Sequence, residues 1–477
     1  MIRASRLQRG QARCVSAAAS LPALSTRPRW QGRRGRHGAA KRLADRFRQL
    51  FSWSVPALRG RPAMTALDRP TILYLTYDGL LEPLGQSQVL AYMEKLAREW
   101  PVHIVSFEKT KDRRDKARME TMGARLSASG ISWTPLTYHK SPSIPATAYD
   151  IAQGALVVFW LALRRRAAIV HVRSYVPGFI ALPTKRFTGT KLLFDIRGFW
   201  ADERVDGGLW PNGGGVYRLA KNLERLLLES ADHIVTLTQA SVPELRRYPC
   251  LKRPIAPLSV IPTCADLSRF RPQASRSQEQ FTLGYVGSVG TWYLLDEILT
   301  FYLTLIDARP EARLLFVNRN EHALIRESLA RRGISSERVE IVSAEHEDVP
   351  RQIARMRAAV AFYKPSYSRV ACAPTKLAEY LGCGVPCICN VGVGDVEEVL
   401  EGKRVGVALR DFSPADHKNA VDRLLALCNE QELRSRCIAT ARELFSLEAG
   451  VEAYRQIYLE LCGIEVPTQN KRGLDTT

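Results

Sequence analysis

Lys376 and Glu379 stand three positions apart in the stretch APTKLAEYLGCGVPCICN (373–390), so on a helix they share one face. A diphosphate needs a cation beside it, and a ribose diol needs a carboxylate that accepts two hydrogen bonds; this pair offers both. Pro374 suits the first turn of the helix, Gly382 and Gly384 end it, and Val385–Cys389 reads as the next strand. Taken alone, the same pair also reads as a surface ion pair of little energetic weight.

Two glycine-containing loops offer a second kind of chemistry. A strand runs into DGLLEPLGQSQVL (78–90), and a helix opening at Gly85, Gln86 and Ser87 would present free backbone N–H groups to a phosphate or a sugar hydroxyl. The alternative is a plain strand–helix turn capped by Ser87. Farther on, Gly287-Ser288-Val289-Gly290 follows another strand and precedes another helix, which repeats the anion-binding pattern. A dense charged set follows a third strand: Asp195, Arg197, Asp202, Glu203 and Arg204, with Trp200 and Trp210 among them. Aromatic and charged side chains on a loop after a strand suit stacking on, and hydrogen bonding to, a sugar; a self-paired surface cluster is the blander reading. His171 and Arg173 end a further strand, the histidine as suited to a core as to a site.

Several chemistries are missing. The chain has no G-x-x-x-x-G-K-[ST], no G-x-G-x-x-G after its first strand, no H-E-x-x-H and no G-x-S-x-G, which counts against nucleotide triphosphatases, simple dehydrogenases, zinc proteases and α/β-hydrolases. Nor does a D-x-D pair follow a strand to hold Mg²⁺ or Mn²⁺ on a diphosphate. Protein cations and helix N-termini must then neutralise such a group. Ten cysteines include the C-x3-C-x-C run Cys383, Cys387 and Cys389, inside an apparent buried strand and without zinc-like partners; free thiols are expected, and no metal.

The elements that must position these residues alternate. Apolar runs at Ile72–Leu75, Val102–Phe107, Ala168–Val172, Leu192–Ile196 and Ile234–Leu237 are separated by helical patterns such as Val89–Arg98 and Val216–Leu228, the latter with Leu219, Leu223, Leu226 and Leu227 on one side. The series stops at LSVIPTCADLSRFRP and restarts with runs at Phe281–Val286, Leu314–Val317, Val339–Val342, Ala358–Phe362 and Val385–Cys389, with helices expected at Leu294–Asp307 and Thr375–Gly382. Strand–helix alternation calls for parallel sheets covered on both faces. The expectation is therefore an α/β protein of two Rossmann-like, doubly wound domains facing across a cleft, with ligands at the C-terminal ends of the strands. The divisions fall at 1–66 (a basic extension, disordered or a mispredicted start), 67–264, 265–446, 447–465 (a closing helix) and 466–477 (a tail).

Charge is concentrated at one end. Of 477 residues, 69 are Lys or Arg and 48 Asp or Glu, a net +21, but residues 1–63 hold 15 of the basic residues against one acid, Asp45. That segment alone gives +14 and leaves +7 for the rest, so no nucleic-acid partner is expected from the body of the chain. Its Arg/Ala/Ser composition reads as a transit segment or, more simply, as residues ahead of a true start at Met64, in which case protein beginning there folds and keeps its activity. The longest apolar run, Ile151–Leu163, is too short to span a bilayer and ends at Arg164, Arg165 and Arg166. It reads as a buried helix of the α/β domain, or else as a helix at a membrane surface. Lys109–Arg118 reads as a solvated helix face.

Across residues 70–465 the chain resembles glycosyltransferases of family 4 type with the two-domain GT-B fold. The stretches that carry the resemblance are DGLLEPLGQSQ (78–88), HVRSYVPG (171–178), FDIRGFWADERVDGG (194–208), VIPTCADLSRF (260–270), GYVGSVG (284–290) and APTKLAEYLGCGVPCI (373–388). The resemblance implies sugar transfer from a nucleotide-sugar with retention of anomeric configuration, onto a glycan or lipid-linked acceptor in surface polysaccharide assembly. It implies a bacterial, cytoplasmic enzyme in peripheral contact with the inner membrane, with no cofactor beyond the nucleotide diphosphate-sugar donor. On this basis Lys376, Glu379 and Lys364 form the catalytic set, with Glu379 on the ribose. Gly85, Gln86, Ser87, Gly287, Ser288, Gly290, Thr375 and Glu379 bind the donor. Asp195, Arg197, Trp200, Asp202, Glu203, Arg204 and Arg173 face the acceptor.

The chain also departs from the family pattern. Ala371 stands where the donor motif usually opens with Glu, Ser288 where Arg is common, and Trp292 to Leu295 supplies no Lys. Lys364 and Lys376 are the substitutes, an exchange seen in subgroups with the P-T-K-x-x-E-Y form. Thr263 and Cys264 replace the usual Asn and Gly of the interdomain signature. A nucleotide-sugar 2-epimerase of the same fold is the rival enzyme, and a basic nucleic-acid-binding protein acting through residues 1–63 the rival outside enzymology.

Overall fold

Seven short apolar or alternating segments form the first sheet of the computed structural model, which describes residues 69–249, 251–273 and 280–464. They are β1 (Ile72–Thr76), β2 (Val102–Lys109), β3 (Ser132–Tyr138), β4 (Ile169–Arg173), β5 (Lys191–Asp195), β6 (His233–Thr236) and β7 (Leu258–Val260). All pair in parallel, in the order β3-β2-β1-β4-β5-β6-β7. The second sheet holds β8 (Thr282–Val286), β9 (Arg313–Val317), β10 (Val339–Val342), β11 (Ala358–Ala361), β12 (Cys387–Asn390) and β13 (Gly406–Leu409). Its order is β10-β9-β8-β11-β12-β13, again parallel throughout. Two doubly wound, Rossmann-like halves result, each with the strand order reversing beside its first strand, where such folds open a crevice.

Three strands were not legible as apolar runs, and all three are edge strands. β3 carries Pro135 and is mostly half-exposed, a composition tolerated only at an edge. β7 is three half-buried residues. β13 opens with Gly406, where a Cβ would lie 2.0 Å from the Cys387 carbonyl oxygen, so only glycine lets this strand approach its neighbour. The expected N-terminal extension, 1–66, and the tail, 466–477, lie outside the described residues.

Two helices differ from expectation in the face they bury. Gly215–Ser230 turns Ala220, Glu224, Leu227 and Leu228 inward and leaves Leu219 and Leu226 exposed. The buried Glu224 accepts hydrogen bonds from Tyr175 (2.5 Å) and Tyr248 (2.7 Å) and pairs with Lys221, and these partners make its burial tolerable. The apolar run after Ile151 belongs to the longer helix Ser143–Arg165, and it is not a buried helix: only one face packs on the sheet.

The last helix, Leu447–Cys462, has no strand after it because it crosses back. Tyr454, Ile457, Tyr458 and Leu459 join the core of the first half. The outward and return crossings lie side by side: Ala265 N donates to Phe445 O (2.9 Å) and Leu447 N to Ala265 O (3.1 Å). All eight described cysteines are free, with Cys383, Cys387 and Cys389 in the core of the second half.

Candidate functional site

The helix Thr375–Gly382 is buried along almost its whole length, which a helix carrying Lys and Glu tolerates only if both have a use inside. Tyr380 fixes it to the sheet by accepting a hydrogen bond from Val286 N (2.8 Å) at the end of β8. This anchoring puts Lys376 beside Gly287, the first residue after β8. Gly287 has φ +111° and a Cβ there would come within 3.1 Å of the lysine Cε, so both conformation and space require glycine. The ammonium donates to Tyr285 Oη (2.8 Å) and lies over the rings of Tyr293 (3.6 Å) and Tyr285 (4.2 Å).

Glu379 is 9% exposed, and none of the described residues donates a hydrogen bond to its carboxylate. Burial pushes it up to about 7, with Lys376 pulling the other way; burial pushes Lys376 down to about 7, with Glu379 resisting. Burial thus drives both groups toward their neutral forms, and each, as the Lys376 cation or the Glu379 carboxylate, is short of partners for its charge. A diphosphate would supply the first lack and a diol the second. Thr375 is half-buried at the start of the helix, with its hydroxyl making no hydrogen bond among the described residues.

The loop at 287–290 differs from the expected anion cradle. The next helix, Leu295–Ala308, begins five residues later, so the loop does not sit at a helix N-terminus. Val289 N donates to the Glu321 carboxylate (3.2 Å), and Asn318 Nδ2 bridges Gly287 O (3.0 Å) and Glu321 (2.7 Å). An internal acid thus occupies part of the cradle; Ser288 remains exposed and Gly290 half-buried. Beside it, at the C-terminal ends of β9 and β10, lies a polar cavity of about 510 Å³ lined by Arg319, Asn320, Ser343, Ala344, Glu345 and Asp348. An apolar cavity of about 460 Å³ opens on the other side of the donor helix, where Leu377 points, against Val260, Ile261 and Phe445. Lys376 lies at Gly287, whose carbonyl accepts from Asn318, next in sequence to Arg319 and Asn320 of the polar cavity.

In the first half, Gly85, Gln86 and Ser87 lie inside a helical stretch that starts at Pro83, not at its opening. Gln86 N is taken by Glu82 O (3.0 Å), and Leu80 N and Leu81 N by the Glu108 carboxylate (2.8 and 3.3 Å). A Cβ on Gly85 would meet Gly79 O at 2.0 Å. Gly85 and Gln86 therefore serve the turn itself, and the Gln86 amide is taken up within it. The buried Gln88 follows, with its Nε2 on Cys264 O (3.3 Å).

The charged set after β5 divides by depth. Asp195 is buried, accepting from Tyr454 Oη (3.1 Å) with Arg197 at 3.5 Å. Burial works to raise its carboxyl, but Arg197, His171 and Arg173 outweigh it and hold it at about 2. Asp202 turns inward to Tyr217 (2.8 Å) and Lys221 (2.9 Å). Both carboxylates are thus held from within the first half, with Asp195 Oδ1 left unpartnered. His171 is a core residue, its Nδ1 2.7 Å from Tyr458 Oη. Arg173 and Arg197 are less satisfied. Arg173 reaches Asp78 (3.1 Å) but leaves Nη1 without a partner, and Arg197 has Nε unpartnered and Nη2 at 3.5 Å from both Gln88 and Thr263. Trp200 stacks on Tyr175 (5.9 Å) and meets Trp210 edge-on, with the exposed Arg204 over its ring (5.8 Å).

Glu203 reaches across instead. It accepts from Arg369 Nη2 (3.2 Å), and the Arg369 guanidinium lies 4.6 Å from the centre of the Trp292 ring. Ser368 N donates to Asp206 (2.9 Å), and the exposed Lys364 reaches Asp206 O (3.3 Å). The loops after β5 and after β11 therefore meet, so the C-terminal ends of the two sheets face each other.

Residues 85–264 match the family described as Glycosyl transferase 4-like domain, and residues 268–444 match Glycosyl transferases group 1. The fold agrees with solved structures. Sucrose-phosphate synthase from Thermosynechococcus elongatus matches at TM-score 0.64 and 15% identity, over 83% of this chain and 100% of that one. This chain is a glycosyltransferase of the GT-B fold. Anabaena Alr3699/HepE in complex with UDP and glucose matches at TM-score 0.55 and 13% identity over 81% and 98%. The lipopolysaccharide outer core galactosyltransferase WaaB matches at 0.56 and 12% over 82% and 99%. A search of curated proteins gives no match.

In this glycosyltransferase, Arg369 is the cleft residue that sequence reading passed over. It is 6% exposed, with Nε unpartnered, and its place over Trp292 brings a guanidinium to the segment where no Lys was found. The only signal was a lone arginine ten positions before Glu379.

Proposed function

We propose that this glycosyltransferase retains anomeric configuration, moving a hexose-like sugar from a nucleotide diphosphate-sugar to a glycan or lipid-linked acceptor in surface polysaccharide assembly, at the cytoplasmic face of the inner membrane. The observation that carries the reading is the buried Lys376–Glu379 pair against Gly287, both groups under-partnered. The nucleoside takes the polar cavity by β9 and β10, the ribose diol donates to Glu379, and the diphosphate meets Lys376, with Arg369 nearby and Lys364 at the rim. The bond from the anomeric carbon to the diphosphate oxygen breaks, and the acceptor oxygen bonds that carbon on the same face. The acceptor proton passes to the departing phosphate oxygen, so the protein supplies placement and charge more than a strong base. Arg173 and Arg197 offer the acceptor their unmet N–H groups, and Trp200 and Arg204 a stacking edge. The fold shared with a structure holding UDP and glucose supports a donor of this class.

Calorimetry with nucleotide diphosphates, joined to turnover assays, tests this. Glu379→Ala should weaken donor binding by about 10- to 150-fold, the worth of a charged hydrogen bond. Lys376→Ala should fall chiefly on turnover, because the diphosphate gains charge as the bond breaks. Wild-type values in both variants would remove the donor from this helix.

A further inference from the structure

The helix Ser143–Arg165 presents a face that a water-facing helix does not have. From Ser143 to Leu163 its only charged residue is Asp150, and Asp150 is buried, bonded to Tyr77 Oη (2.7 Å) and to His139. The inward face is Ala146, Gly154, Val158, Leu161 and Ala162, with Gly154 in close approach to Ile180 and Phe107. The outward arc is Tyr149, Ala152, Leu156, Trp160 and Leu163, at helical spacing, with Leu156 75% and Trp160 53% exposed. A surface helix of a soluble domain carries its charges on that arc. Here the charges come only at the end, as exposed Arg164, Arg165 and Arg166, with Arg164 over the Trp160 ring (4.9 Å). Phe187 on the neighbouring helix Tyr175–Thr188 is also exposed, next to Arg186.

We infer that this arc lies in the interface of an anionic bilayer, apolar side chains toward the acyl region and arginines on the headgroups. The 23-residue helix is long enough to cross a membrane, but its other face is packed against the sheet, so it lies on the surface. Trp and Tyr flanking Leu, with arginines at the rim, is the composition of an interfacial helix, and the arginines choose anionic over neutral lipid. The orientation follows from the topology. The helix runs antiparallel to the strands it joins, so Arg164–Arg166 lie at the sheet edge far from the cleft, while Asp150, tied to Tyr77 just after β1, lies at the cleft edge. The seated arc therefore leads from the bilayer to the acceptor side of the cleft. This rests on the membrane-facing acceptor reading above and assigns its surface.

The test is flotation of the full chain with vesicles of phosphatidylcholine alone or mixed with phosphatidylglycerol. The wild type should float with the anionic vesicles. Leu156→Glu/Trp160→Glu, two exposed positions whose change leaves the core intact, should stay in solution. The paired arginine variant Arg164→Ala/Arg165→Ala should lose about fivefold in partitioning per arginine, an effect that salt suppresses. Thermal melts and nucleotide calorimetry on the same samples confirm folding. Equal flotation of wild type and the double glutamate variant, or flotation of neither, overturns the proposal. So does a dimer in light scattering that the glutamates dissolve without any vesicle binding, since the arc would then belong to a second copy. Nucleotide binding without flotation removes this surface alone; flotation without nucleotide binding keeps the surface and removes the donor site proposed on the helix Thr375–Gly382.

Discussion

Lys376 has one hydrogen-bond acceptor and two aromatic faces in place of water, so its charge costs more inside this fold than outside, and Glu379 is in the same position with opposite sign. A bound nucleotide diphosphate-sugar would favour the charged form of both. Below about pH 7 free Glu379 is mostly protonated and must release a proton to accept the diol; above about 7 free Lys376 is mostly neutral and must take one up to face the diphosphate. Donor affinity should therefore peak near neutrality and fall on both sides, by up to about tenfold per pH unit. Lys376→Arg, charged at every working pH, should flatten the alkaline limb, and Glu379→Gln the acid limb. Calorimetry across pH measures this directly, and a flat wild-type profile would show that neither group titrates on binding.

Gly85 decides between two readings of the element that follows β1. If its role is to bring the helix against the Gly79 turn, Gly85→Ala forces a Cβ into a carbonyl oxygen at 2.0 Å, and stability should drop by about 1–3 kcal/mol or more, with nucleotide affinity unchanged. A loss of nucleotide affinity at wild-type stability would return this loop to the ligand. The sequence could not separate these readings, because a strand–Gly–helix pattern is the same for a phosphate cradle and for a tight turn. The central strands were legible because burial on both faces makes them continuous apolar runs; β3 and β7 lie at half-exposed edges and escape that rule, while β13 is buried but opens with Gly406. At the site, Lys376, Glu379 and Gly287 were legible through one helix and its neighbouring loop. Arg369 was not, since its value comes from Trp292 and Glu203, both remote in sequence. The inward contacts of Asp195 and Asp202 were not legible for a related reason: their partners Tyr454, Tyr217 and Lys221 come from other helices.

The two halves are held shut at two places. At the cleft, Glu203 and Asp206 grip Arg369, Ser368 and Lys364. Away from it, the Asp395 carboxylate accepts from Gln239 N (2.7 Å) and Ala240 N (2.8 Å), just ahead of the helix Ser241–Arg246 of the first half, while Thr238 Oγ1 donates to Val370 O (2.8 Å). These contacts tie loops of the two halves together, so parting of the halves would have to break them. Hydrogen bonds to a charged group are worth about 1.5–3 kcal/mol, enough to move an open–closed balance by roughly 10- to 150-fold. Asp395→Ala should therefore shift the molecule toward the open form, giving a larger radius of gyration in X-ray scattering and slower turnover. Nucleotide affinity should change little, because the residues assigned to the donor belong to the second half alone. An unchanged radius together with unchanged turnover would mean that the Asp395 contact carries no weight between the halves and that the cleft contacts alone set the closed state.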